Sequence, residues 1–133
     1  MIGEKQPRYF PGDAITGFPT EDVEAGTLVM IAGDKTAEGD YKVKPCTADS
    51  RAFGMATRSV EVAKLADTDI DKRVPVYIEG VLRILAAAAI TAGEEVYCSG
   101  AGKVSKVSGE HKAIGQCLAT VSSGGYAEIK LYL

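Results

Sequence analysis

Val23-Glu-Ala-Gly-Thr-Leu-Val29 returns later in the chain as Ile90-Thr-Ala-Gly-Glu-Glu-Val96, with the Ala-Gly turn and the closing valine in register. Each copy is followed by a Lys-Val pair (Lys42-Val43, Lys103-Val104) and then by an apolar-Gly step (Phe53-Gly54, Ile114-Gly115). The interval from that valine to the apolar residue is the same both times. β-branched residues between turn signals read as short strands, and a unit of short strands used twice is a scaffold signature. Two copies are too few for a solenoid, whose repeats are covered only by their neighbours. The expectation is a compact β domain, built either from true duplicates or from two β turns made alike.

Outward from this echo, the chain reads as a series of β runs. Strands are expected at 28–32, 41–45, 53–57, 74–79, 81–85, 95–99, 104–107, 113–120 and 127–133, spaced as in a sandwich or barrel. Alternation is clearest at the end, where Ala127, Ile129, Leu131 and Leu133 share one face and Glu128, Lys130 and Tyr132 the other. Ser122-Ser-Gly-Gly125 precedes that run as a hairpin turn, and Gly33-Asp34 and Gly100-Ala-Gly102 mark others. Two segments fit less well. Ser59-Val-Glu-Val-Ala-Lys-Leu-Ala-Asp67 reads as a short helix or as a loop ending a strand. Ala86 to Ala89 has high helix propensity, but Gly80 and Gly93 bracket it, and a strand running into a loop is favoured.

Residues 1–22 have another character. Lys5-Gln-Pro-Arg-Tyr-Phe-Pro-Gly-Asp13 carries two prolines, which oppose helix and central-strand pairing. Its aromatics, with Phe18 further on, favour burial, and such an arm packs back on its own domain or docks on a partner. The expected organisation is an extended N-terminal arm at 1–22 and a β domain at 23–133. The fold class is all-β, with a small barrel or β-clip character.

Composition bounds the function. The chain has 133 residues, enough for one domain with its own core. A net charge of −3 with dispersed Lys and Arg opposes nucleic-acid binding, which needs a concentrated basic face. The N-terminus lacks an apolar core of signal-peptide length, and the longest apolar stretch, Ile84-Leu-Ala-Ala-Ala-Ala-Ile90, is far too short to span a bilayer. A soluble protein made in a cytoplasm, with no membrane partner, is expected. Cys46, Cys98 and Cys117 are odd in number and form no C-x-x-C pair, so they read as buried thiols.

Chemistry-bearing constellations are sparse. His111 is the single histidine, which excludes paired-imidazole metal sites, and its neighbours Gly109, Glu110 and Lys112 read as a surface turn. No serine lies in a G-x-S-x-G elbow. Ser99-Gly-Ala-Gly102 lacks the lysine of a phosphate-binding loop and reads as a hairpin turn. Asp67-Thr-Asp-Ile-Asp71 alternates like a calcium loop, yet lacks the glycine and terminal glutamate of an EF-hand. No enzyme, cofactor or metal is expected.

Taken in order, the chain resembles the bacteriophage capsid decoration (cement) proteins. Arg8-Tyr-Phe-Pro-Gly-Asp-Ala-Ile15 followed by Val23-Glu-Ala-Gly-Thr-Leu-Val29 is similar to the opening of a phage cement family, a Pro-Gly-Asp arm before an Ala-Gly-x-x-Val strand. Ala52-Phe-Gly-Met-Ala56 and Val74-Pro-Val-Tyr-Ile-Glu-Gly-Val-Leu-Arg83 resemble, in order, the lambda-like head decoration proteins. Ala89-Ile-Thr-Ala-Gly-Glu-Glu-Val-Tyr97 through Ile114-Gly-Gln-Cys-Leu-Ala119 resembles the closing half of the cement family. Residues 58–73 match nothing in these patterns.

The resemblance implies homotrimers on the outer surface of an expanded icosahedral head, with the major capsid protein as partner. The arm residues Pro7, Arg8, Tyr9, Phe10, Pro11, Gly12, Asp13 and Ile15 are expected to dock on the capsid by strand addition. Tyr77, Arg83 and Tyr132 are candidate oligomer contacts, because aromatics and Arg are enriched at interfaces. The rival expectation is a carbohydrate- or ligand-binding β module, such as a head fibre base or adhesin, weakened by the absence of Trp. A β-clip accessory domain of a sugar-processing enzyme is a further alternative, although no catalytic partner domain is present in the chain.

Overall fold

The computed structural model describes residues 14–66 and 70–132. Within them are ten strands and two 3₁₀ turns, with no α-helix. The strands are β1 (Ala14–Pro19), β2 (Leu28–Ile31), β3 (Tyr41–Pro45), β4 (Gly54–Ala56) and β5 (Val74–Tyr77), then β6 (Val81–Leu85), β7 (Glu95–Gly100), β8 (Lys103–Lys106), β9 (Gly115–Cys117) and β10 (Tyr126–Leu131). The 3₁₀ turns are Val62–Lys64 and Ile70–Lys72, so the stretch at 59–67 holds a single 3₁₀ turn.

The first five strands close a barrel in the order β1-β3-β2-β4-β5, and the last five form a sheet in the order β6-β10-β9-β7-β8. Read from β1 and β6 round in opposite senses, these are one pattern. β2 pairs antiparallel with β3 and β4 as β7 does with β8 and β9, and β5 joins β4 to β1 as β10 joins β9 to β6. Even the register repeats: Val29 faces Gly54 where Val96 faces Gly115, and Ile15 faces Val76 where Leu82 faces Ile129. The barrel closes in parallel, with Pro19 against Val43, and at the matching place the second sheet has the single parallel bridge Ala86–Val104.

Backbone hydrogen bonds outside the ladders repeat as well. Val23 and Val60 exchange a pair at 3.0 and 2.9 Å, and Ile90 and Val121 exchange the equivalent pair at 3.0 and 2.9 Å. Gly26 N–H donates to Ala56 O as Gly93 N–H does to Cys117 O. The echo in the sequence is therefore a structural duplication, position for position. Gly26 and Gly93 recur because both turns need positive φ, 76° and 90° respectively, which an L side chain resists.

The two cores follow the same plan. Val23, Val29, Val43, Ala56, Val60, Val74 and Val76 fill the first. Ile90, Val96, Val104, Cys117, Ala127 and Ile129 stand at equivalent places in the second, joined by Leu82, Ile84, Ala86 and Cys98. Each buried Val or Ile contributes roughly 1.5–3 kcal/mol relative to exposure. Leu28 and Cys46 belong by sequence to the first half but are buried in the second core. Their backbones lock the crossing, since Leu28 N–H donates to Gly102 O, Gly102 N–H to Cys46 O, and Leu85 N–H to Gly26 O. Gly102 permits this contact: at φ 73°, a Cβ there would lie 2.5 Å from Leu28 O.

One expectation needs correction. Ile15, expected on a capsid-binding arm, is 5% exposed and faces Val76 inside the first barrel. The chain enters the sheet at Ala14, and β1 alternates half-buried and buried side chains through Pro19. Pro19 is tolerated because it ends the strand, and Thr20 N–H resumes the ladder to Val43 O.

Candidate interaction surface

A shallow groove of about 440 Å³ runs over the outer face of β4, β5 and the neighbouring turn. Its lining includes Gly26, Met55, Thr57, Tyr77, Arg83 and Tyr126. β5 alternates buried and exposed residues, so Val74 and Val76 fill the barrel while Pro75 and Tyr77 face out. Tyr126 lies against the Gly26 backbone: a Cβ on Gly26 would meet its ring at 2.6 Å. The Arg83 guanidinium stands 5.9 Å from the Tyr126 ring centre, a cation–π arrangement. Tyr77 is 41% exposed and Tyr126 47%. Arg83 is the single charged side chain among the groove's described lining residues.

Two of the three sequence-expected contact residues, Tyr77 and Arg83, thus share one groove. Tyr132 lies apart from it: its hydroxyl donates to Glu95 Oε2 at 2.8 Å, which raises the Tyr132 pKa above its ordinary value. Met55 and Tyr126 were not expected at this surface. Met55 is the outward residue of a three-residue strand, and Tyr126 precedes the alternating run at 127–133, so neither stands in a motif. Arm residues Pro7, Arg8, Tyr9, Phe10, Pro11, Gly12 and Asp13 lie outside the described residues.

A second cleft, about 600 Å³, opens between the halves and is lined by Arg51, Phe53, Ile78, Lys112, Leu131 and Tyr132, among others. At its margin His111 Nδ1 lies 2.8 Å from Asp49 Oδ1, and the imidazole stacks on Tyr97 at 3.8 Å. This places the one histidine as a tie between the loop after β3 and the loop after β8. Asp49 occupies φ 60°, a left-handed conformation that Asp tolerates better than most residues.

All three cysteines are buried free thiols. Cys46 and Cys98 meet across the halves, and their hydrogen bond, followed by burial, pushes the Cys46 thiol far up. With both side chains at 0% exposure, the upward direction governs the pair, because a thiolate is costly in a low-dielectric core. They act as packing. No group of three or more metal-ligating side chains occurs among the described residues.

Convergent chemistry is thus scarce, while exposed aromatics on a rigid duplicated scaffold are prominent. Surfaces are therefore the prominent features of the described residues. The profile of the phage cement protein family matches residues 11–133, and the chain belongs to that family. No curated protein matches it. Among solved structures, it is similar to the head fiber gp8.5 N base in bacteriophage phi29, with a TM-score of 0.69 and 13% identity, over 90% of this chain and 92% of that one. At that identity the likeness concerns the fold. Family and fold together support a structural role at the phage head.

Proposed function

We propose that this protein is a capsid decoration protein that binds the outside of the expanded head as a homotrimer and bridges neighbouring major capsid proteins. The observation that carries this reading is family membership over residues 11–133. The mechanism is physical and needs no catalysis. Ligands that bind the expanded shell and not the unexpanded one stabilise the expanded state by mass action. A trimer engages several capsid sites together, so individually modest contacts add through effective concentration. The closed barrel of the first half suits this task, because it offers no long unpaired edge for indiscriminate strand pairing.

In this reading the segment at residues 7–13 contributes capsid contacts, with Tyr9 and Phe10 as anchors and main-chain bonds giving register. Burial of Ile15 in the barrel sets the limit of what can be removed without harming the fold. Purified protein incubated with expanded and unexpanded heads should co-sediment with the expanded form. Deleting residues 1–13 should abolish that occupancy while leaving thermal unfolding nearly unchanged. Undiminished occupancy after the deletion would remove the arm from the mechanism, and equal binding to both head forms would remove the stabilising role.

A second reading, a base that carries a head fibre, is favoured by the likeness to the phi29 fibre base. It is separated from cement by stoichiometry: a fibre base occupies few head sites, whereas cement saturates the shell.

A further inference from the structure

We propose that the cleft between the two halves takes an extended acidic segment of the partner protein, one that carries an apolar residue between two carboxylates. That this partner is the major capsid protein rests on the decoration reading above; the chemistry of the segment comes from the cleft.

The duplication places the same groups on both walls. Phe53 N–H donates to Val29 O at 2.8 Å as Ile114 N–H donates to Val96 O at 2.8 Å. Arg51-Ala52-Phe53 and Lys112-Ala113-Ile114 are therefore equivalent stretches, and each runs into a buried glycine. Their exposure repeats as well: the cation is exposed, the alanine and the large apolar residue half-buried. Ile78 and Leu131, which follow Tyr77 and Lys130 in the matching registers, are a further pair. Arg51, Phe53 and Ile78 from one half and Lys112, Ile114 and Leu131 from the other all line the one cleft of about 600 Å³. Ligand sites span roughly 300–1,000 Å³.

Charge selects the occupant. Asp49 also lines the cleft, but His111 Nδ1 engages both its carboxylate oxygens, at 2.8 and 3.1 Å. The Tyr132 hydroxyl is turned to Glu95. Arg51 and Lys112 make no ion pair or hydrogen bond among the described residues. Covering an unpaired cation is costly, so a partner that fills the cleft brings an anion to each wall. Between those anions it meets four half-buried apolar side chains, Phe53, Ile78, Ile114 and Leu131. Two isolated cations on a chain of net charge −3 do not make the continuous basic track that a phosphate backbone needs. The main chain favours an extended polypeptide over a small dicarboxylate. Arg51, Ala52, Lys112 and Ala113 lie outside the strands, and their N–H and C=O groups make no hydrogen bond among the described residues. An added extended chain can pair such groups, with side chains setting its register.

The test uses the full chain and expanded heads, with occupancy read by co-sedimentation across a protein titration and fold by thermal unfolding. Arg51→Glu and Lys112→Glu both alter exposed side chains. Each is expected to weaken head binding at least about tenfold with unfolding unchanged, and the double variant by the product of the two. If either variant melts early, Arg51→Gln and Lys112→Gln replace them. A photo-crosslinking residue in place of exposed Glu110 is expected to capture a capsid-protein segment with carboxylates on both sides of an apolar residue. Wild type that fails to sediment with expanded heads overturns the decoration reading itself. Undiminished binding of the double variant, or loss at one wall alone, overturns the cleft as a two-sided acidic site and leaves decoration standing. Capture of another copy of this chain, of a capsid segment without those carboxylates, or of nothing does the same.

Discussion

The two halves of the molecule share one strand plan and differ in what they do with it. The first, β1 to β5, closes through three parallel pairs, Gly17–Tyr41, Phe18–Lys42 and Pro19–Val43. The second, β6 to β10, is a five-stranded sheet whose end strands are linked by the single parallel bridge Ala86–Val104, and its core includes Leu28 from the first half. Gly17 stands where the second half has Ile84, and Val76 where it has Ile129, so the second core carries bulkier side chains. The first half spends its extra residues on loops braced by Arg58 and Arg73, while the second uses the Gly100–Gly102 turn and other short connections. Duplication evidently freed one copy to build surface and left the other to supply core.

The largest effect should come from the second core. Ile129→Ala removes a wholly buried side chain from the bulkier cluster and should cost about 3 kcal/mol, whereas Val76→Ala, its counterpart, should cost about 2. Because Leu28 and Cys46 bury into the second core, both variants should still unfold in one transition. Urea unfolding followed by far-UV circular dichroism and by tyrosine fluorescence should give coincident curves. Separate transitions would show that the halves are independent domains and that the borrowed residues do not couple them.

A sharper comparison is available at two equivalent glycines. A Cβ on Gly54 would lie 2.6 Å from Tyr77 O, and one on Gly115 would lie 2.5 Å from Lys130 O. Tyr77 and Lys130 occupy the same place in the two registers. Alanine at either site should therefore cost a similar amount, about 1–3 kcal/mol from overpacking. A costly Gly115→Ala beside a silent Gly54→Ala, measured by urea midpoint, would confine the equivalence to topology.

Much of this plan was legible in the chain because it rests on local signals. Valines and alternating residues marked β2 to β10 within a residue or a few, and the Ala-Gly turns marked the repeat because Gly26 and Gly93 need positive φ. β1 was hidden. Gly17, Phe18 and Pro19 read as an irregular arm, and its pairing with β3 is parallel and distant in sequence, a relation that no period of two reveals. The groove was legible only in part. Tyr77 and Arg83 stood in recognisable runs, but Tyr126 joins them through a β10–β6 pairing and a close approach to Gly26 that no local pattern encodes.

The smallest expected effect probes how each half anchors the strand that leaves it. β5 runs directly into β6 through Ile78, Glu79 and Gly80, so covalent continuity holds its end. The chain leaving β10 is held instead by Tyr132, whose N–H donates to Ile114 O and whose hydroxyl donates to Glu95. The Glu95 carboxylate raises the Tyr132 pKa, so the bond favours the folded state while the phenol keeps its proton. Its contribution is fully present below the ordinary tyrosine pKa of 10.0 and is lost as pH rises through the higher folded value. Tyr132→Phe should accordingly lower the urea midpoint slightly at neutral pH, and the difference from wild type should vanish in strong alkali. In an ultraviolet titration of the folded protein, a tyrosine step above the ordinary value of 10.0 should be present, and that late step should be missing from the variant. A constant difference across the whole pH range would assign the loss to packing of the ring and leave the second half without its polar anchor.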